Sequence, residues 1–158
     1  TETGHHAEII LSGRKINDNM GSFIVENAVS EITKQGIAPL NAKVAVLGLT
    51  FKENCPDLRN SKVFSIIEKL KQYGCEIIVS DPVADPNEVY KKYNIQLKPL
   101  NDIYHQDAII IAVAHESYKI FKNSEWGKML NAKGVLIDVK SLYNKNTFDN
   151  TQIRHWRL

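Results

Sequence analysis

Four short stretches of this sequence carry apolar residues at odd and even positions alike: KVAVLGL (43–49), CEIIVSDP (75–82), DAIIIAVA (107–114) and GVLIDVK (134–140). A strand with one face in water alternates apolar with polar residues, because successive side chains point to opposite faces. These runs hardly alternate, so each is expected to be a strand covered on both sides, as in a parallel sheet held between layers of helix.

The segments between the runs have helical spacing. From Asn17 to Gln35, the residues Met20, Phe23, Ile24, Ala28 and Ile32 recur at intervals of three and four, with Asn17 or Asp18 placed to cap the start and Gly36 the end. A second helix carries Val63, Ile66, Ile67 and Leu70 on one face, with Asn60 as its cap and Gly74 as its stop. Residues 86–93 read as a third, Ile95–Lys98 as a short strand, and Ser117–Leu130 as at least one helix broken within KNSEWG. Alternating strands and helices at these spacings predict an α/β, doubly wound parallel sheet with helices on both faces and a long N-terminal helix. The expected division is an arm and long helix over 1–38, then the α/β domain over 39–158.

Composition narrows the function. The formal charge is +2 and the basic residues are scattered, so no stripe points to nucleic acid or to an anionic membrane. The longest apolar stretch, Ala108–Ala114, is far short of the roughly 20 residues a membrane-spanning helix needs. Cys55 and Cys75, the only cysteines, lack the spacing of a zinc site or redox dithiol. A soluble, cytoplasmic protein is the expectation. Its start at threonine, close to helical pattern, suggests a piece of something longer. The adjacent His5 and His6 are too few to argue for a metal.

The segment LTFKENCPDLRNS (49–61) lies where a doubly wound sheet puts its ligand, just after the first strand. A dinucleotide fold places glycines here so that phosphate can touch bare backbone. Only Gly48 is available, so the G-x-G-x-x-G reading fails. Two readings of the charged residues remain. Lys52, a mobile point charge, and Arg59, a planar fork, could grip a pyrophosphate beside the helix beginning near Ser61. Alternatively, they pair with Glu53 and Asp57 on a solvated loop.

The stretch VAVLGLTFKENCPDLRNSKVFSIIEKL resembles the opening of the C-terminal, nucleotide-sugar-binding domain of the UDP-glucose/GDP-mannose 6-dehydrogenase family. It is most similar to members that oxidise UDP-N-acetylhexosamines for capsule or surface polysaccharide. G-L-x-F-K followed by D-x-R is the specific signature, and GRKINDNM, VSDPVA, DAIIIAVAHESY and LIDVKSLY extend the resemblance from about Ile9 onward. It implies a Rossmann-like fold in which Phe51 and Lys52 contact the nucleotide-sugar, Lys52 on its phosphate or ribose side. Arg59 would reach NAD held on a facing N-terminal domain. Lys140 falls where some relatives have an arginine against the substrate nucleotide. The implied partners are a UDP-N-acetyl-sugar, the NAD-binding domain of the same polypeptide, and a second copy joined through the long helix. Family members oxidise a sugar CH2OH to a carboxylate through a cysteine thiolate in a Gly-Gly-x-Cys segment. No such segment occurs here, so this chain alone is expected to have no catalytic residue and no activity.

Other residues have plainer readings. Cys55 has no base nearby in sequence and reads as a packed loop thiol rather than a nucleophile; Cys75 reads as core. Asp81 reads as a turn cap beside Pro82 rather than a ribose ligand, and His115 and Glu116 as makers of loop hydrogen bonds. His105 reads as solvated, Arg14 as a helix flank, and Trp126 and Trp156 as core, with Trp156 and Leu158 docking the tail. The broad apolar face of the first helix predicts self-association. The rival classes are a flavodoxin- or receiver-like binding module and a structural oligomerisation domain. A receiver needs clustered acids after its first strand, which GLTFK lacks.

Overall fold

The computed structural model describes residues 19–158. The described part of the first helix, α1, spans 19–34. The elements after it are β1 (Lys43–Leu47), α2 (Val63–Gln72), β2 (Glu76–Ser80), α3 (Pro86–Tyr93), β3 (Gln106–Ile111), α4 (Glu116–Lys119), α5 (Asn123–Met129), β4 (Leu130–Asp138) and β5 (Arg154–Arg157). All five strands are parallel, in the order β2-β1-β3-β4-β5. A lone parallel bridge, Val79 to Leu97, with Lys98 N donating to Val79 O at 2.8 Å, adds a sixth position beyond β2. With that position counted as the third strand, the order is the 3-2-1-4-5-6 of doubly wound dinucleotide folds.

The non-alternating runs are explained by two cores. Val44, Val46, Ala108, Ile110, Val135 and Ile137 face α1, α2 and α3, while Ala45, Leu47, Ile109, Ile111 and Leu136 face Tyr118, Trp126 and Met129 of α4 and α5. A central strand flanked by both layers has no solvent face on which a polar residue would gain anything. Trp126 is core as expected, its indole N–H donating to the Tyr143 hydroxyl at 3.1 Å.

Both long helices end alike. Ile37 N donates to Ile32 O and Gly36 N to Thr33 O; Cys75 N donates to Leu70 O and Gly74 N to Lys71 O. These are paired closing bonds around a left-handed residue, and Gly36 and Gly74 both have φ of +78°. The caps proposed for the start of α1, Asn17 and Asp18, lie outside the described residues.

Several expectations are corrected. Asn60 does not cap α2: the Ser61 hydroxyl accepts from Val63 N at 3.3 Å and donates to Leu49 O at 2.6 Å. Ile95–Lys98 contributes one bridge rather than a strand. The break expected in the helical stretch 117–130 is present, at 120–122 and so at the leading edge of KNSEWG, where Lys122 N bonds Glu125 Oε2 at 2.6 Å and starts α5 afresh. The run expected as the last strand starts earlier and ends at Asp138, leaving Val139 and Lys140 in a turn, and it is followed by β5. The tail is thus an edge strand. RHWR carries no strand signature, because an edge position tolerates polar side chains and its pairing with β4 is what orders it. Trp156 is half-buried there, 6.4 Å from the ring of Phe23, while Leu158 is exposed.

The first helix folds back onto its own sheet. Ile24, Val25, Ala28 and Ile32 are at most 3% exposed within the core, so the face expected to drive self-association is largely spent here. Met20 and Phe23 stay exposed at its edge. A polar tie reinforces the packing: the guanidinium of Arg154 on β5 donates to Glu31 of α1, which also accepts from Lys34 Nζ at 2.7 Å.

Candidate functional site

At the carboxyl ends of β1, β3 and β4 the chain leaves the sheet through three loops, and between them lies a cleft of about 480 Å³. Its walls come from Met20 and Ile24 of α1, Phe51 of the first loop, Lys62 and Val63 at the start of α2, Val113 after β3, and Lys140 after β4. An apolar lining with two ammonium groups and a helix N-terminus is chemically suited to an amphipathic anion.

Gly48 makes the crowded mouth possible. Its φ is +90°, and a Cβ there would stand 2.5 Å from Val113 Cβ and 2.9 Å from Val113 N. Only a residue without a side chain lets the loops after β1 and β3 approach so closely.

Two buried carboxylates then hold the loops in place. Asp81, just past β2, accepts at Oδ2 from Leu49 N (2.6 Å), Thr50 N (3.2 Å) and His115 Nε2 (3.0 Å), and at Oδ1 from Val83 N and Ala84 N (both 2.8 Å). Burial by itself would push its carboxyl upward. The bonds from His115 and from the Leu49, Val83 and Ala84 amides overcome that and hold it down at about 2. Asp138, at the end of β4, repeats the arrangement, accepting from Leu142 N (2.8 Å), Tyr143 N (2.9 Å) and His155 Nε2 (3.3 Å). Burial likewise raises its carboxyl, and the bonds from His155, Tyr143 and Leu142 lower it below the usual range. Asp138 thereby fixes the turn that carries Lys140.

The predicted site residues separate into two groups. Phe51, 56% exposed, and Lys140 line the cleft. Lys52 and Arg59 do not line it, so the shared hollow expected for these two cations is not this one. Arg59 is turned onto Asp57, Nε to Oδ1 and Nη2 to Oδ2, both at 3.0 Å, which is the ion-pair reading of the loop. The side-chain bond from Arg59 lowers the Asp57 carboxyl, and Asp57 in turn raises Arg59. Cys55 is half-buried. Cys75 is core, its thiol 3.4 Å from Pro39 O and pushed up by burial.

Asp81 is the turn cap expected, for Val83 and Ala84, and also the anchor of a loop 31 residues away in sequence. His115 makes the expected loop bond, with Asn54 N donating to its Nδ1 at 3.0 Å. Glu116 contributes its backbone N–H to Asn54 Oδ1 at 3.1 Å. Lys62 was missed as a cleft residue. Its position directly before the apolar face of α2, at the ligand end of the sheet, was the available signal. Among the described residues, no group of three His, Cys, Asp or Glu side chains is arranged to hold a metal ion, and no helix is long and apolar enough to cross a membrane.

Sheet order, glycine-gated crevice and cationic cleft define an α/β domain of the nucleotide-binding class. More particularly, the chain belongs to the UDP-glucose/GDP-mannose dehydrogenase family, whose UDP binding domain matches residues 45–145. It is 44% identical over 157 residues to the protein CapL of Staphylococcus aureus, covering 99% of this chain and 37% of that protein. It is 39% identical over 139 residues to a UDP-N-acetyl-D-glucosamine 6-dehydrogenase of Salmonella typhi, covering 87% of this chain and 32% of the relative. The chain therefore spans about a third of the length of these relatives. Among solved structures, an NDP-N-acetyl-D-galactosaminuronic acid dehydrogenase from Methanosarcina mazei superposes with a TM-score of 0.83 over 93% of this chain and 30% of that one. At 22% identity this likeness bears on the fold.

Proposed function

We propose that this chain is the nucleotide-sugar-binding part of an NAD-dependent UDP-N-acetyl-sugar 6-dehydrogenase serving capsule or surface polysaccharide synthesis. The supporting observation is the cleft itself, which joins Phe51, Lys62, Lys140 and the N-terminus of α2 at the sheet's switch point. The uridine and its ribose lie against Phe51 and the apolar wall from α1, and the diphosphate meets the ammonium groups. Lys52, exposed beside Phe51, closes on the phosphate or ribose side once ligand and the facing domain are present.

NAD does not fit this chain's own crevice. A dinucleotide fold seats the NAD pyrophosphate on bare glycine backbone after β1, where only Gly48 offers it, and the carboxylate at the end of β2, which would otherwise hold the cofactor's ribose, is fully buried under five hydrogen bonds. The cofactor belongs to another domain of the polypeptide in this proposal. Arg59, with its side chain 80% exposed, is the group free to swing from Asp57 toward it. The oxidation of the sugar C6 alcohol to a carboxylate takes place outside these residues, in a cytoplasmic homodimer, and the chain alone is inactive.

Calorimetric titration with UDP tests the reading. Wild type is expected to bind, and Lys140→Ala to bind about tenfold more weakly, the loss of one charge-assisted contact; Phe51→Ala and Lys52→Ala should weaken binding too. Absence of heat with wild type, or a Lys140→Ala variant indistinguishable from it, sinks the proposal.

A further inference from the structure

The Asp81–His115 pair contacts nothing outside the protein: both side chains have no solvent exposure. Yet, apart from the Val83 and Ala84 amides held on Asp81 Oδ1, its hydrogen bonds converge on one short loop. Asp81 takes the amides of Leu49 and Thr50, and His115 takes the amide of Asn54 through Nδ1 and faces the Thr50 hydroxyl through Nε2 at 3.2 Å. Phe51 and Lys52 lie between these anchor points, and both are exposed.

The directions of the bonds are fixed by their partners. A backbone N–H can only donate, so the Asn54 amide requires Nδ1 to be a bare acceptor. The ring hydrogen is then on Nε2, shared between Asp81 Oδ2 at 3.0 Å and Thr50 Oγ1. Thr50 Oγ1 passes its own hydrogen to the carbonyl of Lys52 at 3.1 Å. A continuous chain of bonds thus runs from the Asp81 carboxylate through the imidazole to the backbone of Lys52. Asn54 closes the loop in the left-handed region, at φ +55°, a conformation kept by its two bonds to the 115–116 segment.

We infer that His115 and Asp81 are positioning residues, a buried latch that sets the shape of the 49–54 loop and so presents Phe51 and Lys52 to the nucleotide without touching it. The inference rests on the nucleotide-binding reading for its last clause only. The latch draws on three separate strand ends: β1 supplies the loop, β2 the carboxylate and β3 the imidazole. Opening it costs the loop its anchors to the Asp81 and His115 side chains and leaves these bonds to shape it: Phe51 N to Asp57 O at 2.7 Å, the Ser61 hydroxyl to Leu49 O at 2.6 Å, and Glu116 N to Asn54 Oδ1 at 3.1 Å.

Two substitutions and two readouts test this in the 158-residue chain. His115→Gln keeps a donor for Asp81 but offers no acceptor at the Nδ1 position. Thr50→Val, nearly isosteric, deletes only the hydroxyl that links the ring to Lys52. Hydrogen exchange of the amides from Thr50 to Asn54 should accelerate at least tenfold in His115→Gln and less in Thr50→Val, with β3 and β4 protected as before. UDP affinity should fall in parallel, about tenfold and about threefold. Unchanged exchange in the loop overturns the latch, and so does freed exchange with unchanged UDP affinity. If wild type binds no UDP, the nucleotide reading falls, and the exchange measurement alone decides whether the pair shapes the loop.

Discussion

Replacing Asp81 by asparagine changes one atom and should remove a large part of this domain's stability. The carboxylate accepts on both oxygens, from Leu49 N, Thr50 N and His115 Nε2 on Oδ2 and from Val83 N and Ala84 N on Oδ1. An amide must turn its NH2 toward one of these sets. Its less costly choice faces Val83 and Ala84, leaving two buried amides opposite a donor. At about 2 kcal/mol for each unmet buried group, the loss is about 4 kcal/mol. Against a total of ~5–15 kcal/mol, that lowers the Tm by about 12 °C for a chain of this size. Acid provides an independent check on the same group. Its folded pKa, about 2, lies below the ordinary 3.8, so its contribution is full above pH ~4 and is lost as pH falls toward 2. The shift corresponds to roughly 2 kcal/mol. Urea denaturation of both proteins, at pH 7 and at steps between pH 4 and 2, measures both effects. The gap between wild type and Asp81→Asn should narrow through that window. A loss below about 1 kcal/mol at pH 7, or a gap that stays constant down to pH 2, refutes the reasoning.

Gly48→Ala must place a Cβ at φ +90° and 2.5 Å from Val113 Cβ, so a loss of about 3 kcal/mol is expected from combined backbone strain and overpacking, read from the urea midpoint. Arg154→Ala leaves the Glu31 carboxylate, its side chain 7% exposed, with Lys34 as its remaining cation. Because Arg154 is itself half in solvent, the cost should be about 1–2 kcal/mol rather than that of a fully buried pair, measured against a Lys34→Ala control that costs about 0.5 kcal/mol or less.

Much of this architecture is local in origin. KVAVLGL and DAIIIAVA are apolar at every other position and also between, and that pattern is already a statement that both faces are covered. The spacing of Val63, Ile66, Ile67 and Leu70 likewise specifies which side of α2 is buried, and all four are. The loop motif G-L-x-F-K with D-x-R located the ligand end of the sheet, and the resemblance supplied the class of ligand.

Other features depend on which strands become neighbours, and no local rhythm carries that. Asp81 and His115 are 34 positions apart and meet because β1 lies between β2 and β3, which brings two strand ends under one loop. RHWR becomes a strand only because β4 offers it an edge. Lys62 and Lys140, 78 positions apart in the numbering, share a cleft that neither segment encodes. Arg59 takes the nearer of its two expected partners, Asp57 two residues away, since a short-range partner is met at almost no entropic cost while a distant one must wait for the fold. Periodicity decides what is buried, because burial is a property of one segment and water; the pairing of distant groups is decided by topology, and this site is made of such pairs.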